Sequence, residues 1–338
     1  MILVTGGTGM LGAQLLVQLT AKGQKIKALR RPTSDLSLIR KTFGWYSANP
    51  EKDFERIEWL EGDLLDSHFV DELVQGISHV YHCAAMVSFD SADRQQLKAV
   101  NERGTANLVN ALLQVSHARL CHVSSIAAIG SNDNGSPADE NTPWKYDARS
   151  SAYSISKYHA EREVWRGIAE GLDAVIVNPS VILGPGSWHS GSSALFSVAH
   201  KGMPFFTKGT TGYVDVRDVA VAMIRLMESP ISGERYIVSA GNLSYQEFFN
   251  IAALALGSRP PRIEVKPWMS ELAWRYYAIK GYVEGKKPAI TRETARNAQK
   301  MRSYTSDKLI AQTGMKFIPP EESIKHYAAL YLSDQQPR

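Results

Sequence analysis

Residues 5–12 read TGGTGMLG, set between the β-branched run ILVT at 2–5 and the helix-patterned stretch MLGAQLLVQLTAKG at 10–23. Gly6, Gly9 and Gly12 repeat as G-x-x-G-x-x-G. Gly6 permits a tight turn out of the strand, Gly9 lets a pyrophosphate approach the backbone, and Gly12 lets the helix pack closely on the strand. The positive end of that helix then faces the phosphates. A glycine trio alone is a weak signal, because many strand-to-helix turns hold glycine. The rest of the chain decides its meaning.

Short β-branched runs recur at 25–29 (KIKAL), 57–62 (IEWLEG), 79–85 (HVYHCAA), 120–125 (LCHVSS) and 174–179 (AVIVNP). Helix-period stretches separate them, including 97–116 and 153–170. Strands alternating with helices predict an α/β fold, a doubly wound parallel Rossmann sheet with right-handed crossovers. In that setting the glycine turn reads as a dinucleotide site. Asp63, in EGDLLD, could accept from an adenine amino group, or serve only as a helix cap or loop acid. After about residue 180 Gly, Ser and Pro become dense and the alternation stops. The expected organisation is a binding domain over 1–180, with elements of its sheet continuing to about 240. A smaller, interleaved region over 181–338 would mainly bind substrate.

Composition restricts the partners. The 338 residues are 44% hydrophobic and 21% charged, with a net charge of +4 spread along the chain, which speaks against a nucleic-acid partner. No apolar run reaches the ~18 residues that span a bilayer. The strand-like start leaves no room for a basic-then-apolar leader. Cys83 and Cys121 lie in apolar runs and read as buried, reduced thiols, with no metal site expected. Together these features lead us to expect a cytoplasmic location.

SAYSISKYHAERE places Tyr153 and Lys157 four residues apart, on one helical face, shortly after the strand-end pair Ser124–Ser125. A phenol titrates near 10 and needs a nearby cation to act as a base at neutral pH. Lys157 would lower the Tyr153 pKa and hold the cofactor's ribose. Tyr153 would exchange a proton with a substrate oxygen while hydride moves to or from a nicotinamide, and a serine hydroxyl would bond the same oxygen.

These features together resemble the extended short-chain dehydrogenase/reductases of the NAD-dependent epimerase/dehydratase superfamily. The resemblance is carried by TGGTGMLG, GDLLD, HCAA at 82–85, VNERGTANLVNA at 100–111, VSSIAAIG at 123–130, YSISK at 153–157, NPSVILGPG at 178–186 and YVDVRDVA at 213–220. It implies Ser125, Tyr153 and Lys157 as catalytic residues, with Ser125 preferred to Ser124 by its five-residue distance to Gly130. It implies a cofactor site lined by Gly6, Thr8, Gly9, Met10, Leu11 and Gly12 at the turn, and by Arg30, Arg31, Asp63 and Leu64 further along. Cys83, Ala84, Ala85, Asn101 and Ser124 would lie along the cofactor too, and Pro179, Ser180 and Val181 would bracket the nicotinamide carboxamide. Two positions depart from the pattern: Asn178, where arginine is common, and Ile129, where tyrosine is.

The same resemblance sorts the reactions. Dehydratases place an acid after the catalytic serine or threonine, whereas this chain has Ile126, Ala127 and Ala128 there. Epimerases carry a diphosphate-gripping arginine before the YVDVRDVA-like segment and an NAD-selecting acid at the end of the second strand. Here that approach reads PFFTKGTTG, and the acid's slot holds Arg30. IKALRRP at 26–32 puts Arg31 on the phosphate-binding arginine of the branch containing dihydroflavonol reductases and 3β-hydroxysteroid dehydrogenases. The stretch from Ile290 to Ile324 resembles that branch and its hopanoid-associated relatives. A planar, always-charged guanidinium suits a 2′-phosphate. The expected cofactor is therefore NADP, with NAD as the alternative, and the expected activity is hydride transfer to a hydrophobic ketone. A sugar-nucleotide 4-epimerase is the second reading, and a non-catalytic NADP-sensing protein the third.

The pocket is expected from loops beyond the strands' carboxyl ends: Met86, Val87, Ser88 and Phe89, then Gly186, Ser187 and Trp188, then Tyr213. The aromatic helix WMSELAWRYYAIKGY at 268–282 is expected to pack on the C-terminal region; a substrate lid and a membrane-touching face are the alternatives. A homodimer through the two long central helices is a further family expectation, without stable membrane insertion.

Overall fold

The computed structural model describes residues 1–132, 135–147, 150–285, 288 and 290–335. Its strands are β1 (Ile2–Thr5), β2 (Ile26–Arg30), β3 (Ile57–Glu61), β4 (His79–His82), β5 (Arg119–Val123), β6 (Asp173–Pro179), β7 (Val181–Leu183), β8 (Phe205–Phe206), β9 (Thr210–Asp215), β10 (Glu234–Val238), β11 (Gly241–Ser244) and β12 (Ile263–Glu264). The helices of the first half are α1 (Met10–Ala21), α2 (Ser37–Tyr46), α3 (Pro50–Phe54), α4 (Ser67–Leu73), α5 (Arg94–Leu97), α6 (Gly104–Leu113) and α7 (Ala152–Ala169). Those of the second are α8 (Ala194–His200), α9 (Val216–Met227), α10 (Tyr245–Ala255), α11 (Pro267–Glu284), α12 (Arg292–Asn297), α13 (Asp307–Thr313) and α14 (Pro320–Gln335).

Seven parallel strands form the central sheet in the order β10-β6-β5-β4-β1-β2-β3, a doubly wound Rossmann arrangement. Period-two alternation sends each strand's side chains to two faces. Val4, Cys121, Val175 and Val177 pack with Leu15, Leu16 and Leu19 of α1 and with Val219 and Met223 of α9. Leu3, Leu120 and Ile176 meet Val70 and Leu73 of α4, Leu108 and Leu112 of α6, and Val164 of α7 on the other face. With all seven strands parallel, their carboxyl ends share one edge. The order reverses between β1 and β4, the switch point at which such sheets bind ligands. Strand β10 joins this sheet although it lies beyond residue 180. The rest of the second half forms the three-stranded sheet β11-β9-β7, the pair β12-β8, and helices packed around them.

Three elements differ from the sequence reading. Strand β4 ends at His82, not Ala85. The Cys83 amide still donates to Thr5 O (3.1 Å), but the next stretch of backbone runs so close to Gly6 that a Cβ there would lie 2.5 Å from the Ala84 nitrogen. The stretch 97–116 is interrupted by a π-helical turn at Lys98–Arg103 before α6 begins. The aromatic helix α11 packs on α12 in the C-terminal region, yet it buries only Ser270 and Gly281, less than a packing helix would. Among the described residues no helix is long and apolar enough to cross a membrane.

Candidate active site

The glycine turn leaves β1 with Gly6 in the left-handed region (φ 70°). A Cβ on Gly12 would lie 2.2 Å from Gly6 O, so only glycine lets α1 start this close to the strand. A Cβ on Gly9 would meet nothing closer than Gly6 O at 3.4 Å, so that side of the turn is open. No side chain caps α1, and its first amides face outward from the carboxyl edge of the sheet. An open, uncapped helix start beside a glycine turn fits a pyrophosphate. Met10 sits under the 184–186 loop, where added Cβ atoms at Gly184 and Gly186 would meet its Sδ at 2.8 Å and its Cε at 3.3 Å.

Arg30 closes β2 and pairs with Glu61, its partner across the β2–β3 ladder. Arg31 is next in the chain; its backbone bonds Ser34, and its guanidinium forms no ion pair among the described residues. Asp63 is exposed, and its Oδ1 accepts from the Leu65 amide (3.0 Å). The cap of α4 is Asp66, so Asp63 is not a helix cap. Leu64 is buried in the core beside it.

Beyond β4, Cys83 is partly exposed, with burial raising its thiol to about 12, and Ala85 is exposed. The Ala84 amide donates to Thr5 Oγ1 (3.3 Å), which also bonds His82 Nδ1 (2.7 Å). Asn101, in the π turn, accepts from the Met86 amide (2.7 Å) and donates to Met86 O (3.0 Å) and Ser156 Oγ (2.9 Å). It therefore fastens the loop after β4 to α7.

Ser124 and Ser125 end β5 and point to different partners. Ser124 is buried and donates to Glu161 Oε2 (2.5 Å). Ser125 caps a 3₁₀ turn by accepting from the Ala127 amide (3.1 Å), and its hydroxyl acts on the Tyr153 phenol by lowering its pKa. Burial raises the Tyr153 pKa, and the Ser125 hydroxyl opposes that rise. Lys157 is 2% exposed and donates to Val123 O (2.7 Å). Burial pulls its ammonium down to about 8, against the pull of the Glu161 carboxylate.

Pro179 ends β6, Val181 begins β7, and Ser180 between them is buried, its Oγ without a partner among the described residues. Of the residues expected on the substrate side, Phe89 stands edge-on to the Tyr153 ring at 5.6 Å. Met86, Val87 and Ser187 are wholly or partly exposed, and Ser88 donates to Asp93 (2.6 Å). Three lie elsewhere. Trp188 is 2% exposed between Phe196 and Tyr331, and it donates to Asp334 (2.9 Å). Tyr213 is fully buried and stacked on Phe248 (5.3 Å), and Gly186 is buried under Ser193. Trp188 and Tyr213 are core residues, because the second half needs an apolar centre of its own, whereas Gly186 is buried close to Met10 of the glycine turn.

Sequence reasoning missed Glu161. It lies one more turn along the Tyr153–Lys157 face and is 2% exposed. Ser124, Asn178 (2.7 Å), Arg235 (2.8 Å) and Trp165 (3.2 Å) all donate to it. The Y-x-x-x-K-x-x-x-E spacing was the available signal.

Known families and structures agree with this geometry. The model described as the NAD dependent epimerase/dehydratase family matches residues 2–241. Sterol demethylase protein B of Methylococcus capsulatus is 31% identical over 267 residues, covering 78% of this chain and 77% of that protein. A Synechocystis protein provisionally named dihydroflavonol 4-reductase is 29% identical over 335 residues, 96% of this chain and 92% of that one. The crystal structure of gox2253 superposes with a TM-score of 0.81 at 28% identity, covering 100% and 99% of the two chains. The chain belongs to the NAD-dependent epimerase/dehydratase family, a family of NAD(P)-dependent oxidoreductases and epimerases.

Proposed function

We propose that the protein is an NADP(H)-dependent reductase or dehydrogenase acting on a hydrophobic ketone or alcohol. The observation that carries this reading is the Tyr153 phenol, flanked by the Phe89 ring and influenced by the Ser125 hydroxyl, with no carboxylate in the Ile126–Ala128 turn beside it. Dehydration would need such an acid, and a diphosphate sugar would need polar groups where Phe89 stands. Arg31, a cation after β2 with no ion pair among the described residues, supports NADP.

The glycine turn, Arg31, Asp63, Ala84 and Lys157 would hold the cofactor, which supplies or accepts the hydride when bound. The chain's own residues handle the oxygen. Ser125 donates to the carbonyl oxygen and fixes its direction. Because burial holds the Tyr153 pKa above its usual value near 10, the phenol carries its proton at neutral pH and can give it to that oxygen. Lys157 remains largely an ammonium at pH 7 and compensates the phenolate left behind. The ring of Phe89 excludes water from the phenol.

Tyr153→Phe removes the proton donor and keeps the ring. It should lower kcat by roughly 10²–10⁴-fold on the best substrate of a carbonyl panel, with NADPH affinity unchanged. Retained turnover would overturn the assignment. Epimer formed from UDP-sugars without added cofactor would establish the epimerase reading instead. NADPH binding with no turnover of any carbonyl would leave a sensing protein.

A further inference from the structure

Helix α11 presents Trp268, Leu272, Tyr276, Ile279, Tyr282 and Val283 to solvent, each between 59% and 90% exposed. At 100° per residue, Trp268, Leu272, Tyr276, Ile279 and Val283 fall within one narrow stripe, with Tyr282 at its margin. The opposite side of the helix packs on α12, and just beyond α12 Gln299 donates to Val265 O (2.8 Å) and Ser270 Oγ (2.9 Å). A helix apolar on both sides and covered on one leaves a contiguous patch of the kind that marks an interaction surface.

Charge decides what covers it. Residues 259–302 hold eleven lysines and arginines against four glutamates, whereas the other 294 residues hold 27 against 30. The positive charge of the protein is therefore concentrated around this helix. A second copy seated on the same face would oppose one strongly basic surface to another. An anionic lipid surface would meet apolar and aromatic side chains with its acyl boundary, and the flanking basic groups with its headgroups. Lys266 at the start of α11 and Lys280 near its end are placed for the second role, and Trp268, Tyr276 and Tyr282 are residue types that favour the headgroup region.

We propose that α11 is an interfacial helix that docks the protein on anionic bilayers, lying in the surface without crossing it. The covered side of α11 is linked through α12 to the start of α7. Glu293 on α12 is hydrogen-bonded to Ser151, the cap of α7 and two residues before Tyr153. The docking surface does not depend on the reaction, and its test reads no turnover.

The experiment is co-sedimentation of the full chain with phosphatidylcholine vesicles, with and without phosphatidylglycerol, at low and high salt. Binding should require phosphatidylglycerol and fall as salt rises. Leu272→Glu with Ile279→Glu, both at exposed positions, should weaken it at least tenfold while thermal unfolding stays unchanged. Lys266→Glu with Lys280→Glu should weaken it selectively toward the anionic vesicles. No co-sedimentation at low salt would overturn the proposal, as would binding that the Leu272/Ile279 variant retains. A dimer in sedimentation velocity that this variant dissociates would also overturn it, making the face a contact between copies.

Discussion

Two adjacent arginines with the same charge occupy different situations. Arg30 lies on the β2–β3 ladder opposite Glu61, and their ion pair is partly shielded. Its guanidinium already has an anion, so a 2′-phosphate would compete with Glu61 for it. Arg31 lies one residue beyond the ladder with no such claim. Counting from the glycine turn treats the two as a pair; the strand register separates them. Charge-assisted hydrogen bonds contribute about 1.5–3 kcal/mol, so Arg31→Ala should weaken NADPH binding on the order of 10–150-fold and leave NADH binding nearly unchanged. Arg30→Ala should have the smaller effect, because the Arg30 guanidinium is already engaged by Glu61. Equal losses for both cofactors in fluorescence titrations would remove the 2′-phosphate from the account.

At the scale of the element, α7 places the proposed catalytic pair and the buried carboxylate on one face. Tyr153 and Lys157 were legible because phenol, cation and strand-end serine form a pattern with a chemical purpose. The sheet was legible because β-branched runs alternate with helical periods over the first 180 residues or so. What escaped reading depends on contacts far apart in sequence: Glu161 with Arg235 and Asn178, Asn101 with Met86, and the burial of Tyr213 against Phe248. Apolar residues near a loop at the strands' carboxyl edge read equally well as pocket or core, and only the second half's packing decides. The Glu161 contacts also reach the chemistry, since its carboxylate raises the Lys157 pKa against burial. Glu161→Gln should therefore move the Lys157 titration below about 8, and the alkaline limb of the kcat profile should shift to lower pH. Leaving Arg235 without its buried partner should cost about 3 kcal/mol of stability by urea denaturation. Lost stability with an unmoved alkaline limb would make Glu161 a structural residue only.

Over the whole molecule, the sheet carries two buried histidines side by side. His82 on β4 and His122 on β5 pair in register, their rings 5.2 Å apart. His82 bridges Thr5 Oγ1 (2.7 Å) and Thr105 Oγ1 (3.0 Å), while neither His122 nitrogen has a partner among the described residues. Burial, with Lys157 nearby, lowers the His82 pKa to about 3 and the His122 pKa well below its usual value. Both are neutral in the fold and titrate near 6.5 when unfolded, so the unfolded chain binds more protons below that pH and stability falls with acid. Two acids act in the opposite sense: burial raises Asp218 and Glu293 to about 6, so protonation favours the fold as pH drops from there toward their ordinary values. The histidine shifts are larger and extend lower, so they prevail, most steeply once those acids are protonated. Each histidine contributes up to about 1.4 kcal/mol per pH unit. His82→Gln keeps groups able to bond Thr5 and Thr105 but removes one titration. Its urea midpoint should begin lower at neutral pH and then fall less steeply than that of the parent as the solution is taken toward pH 3. Parallel declines for the two proteins would show that His82 is not a source of the acid sensitivity.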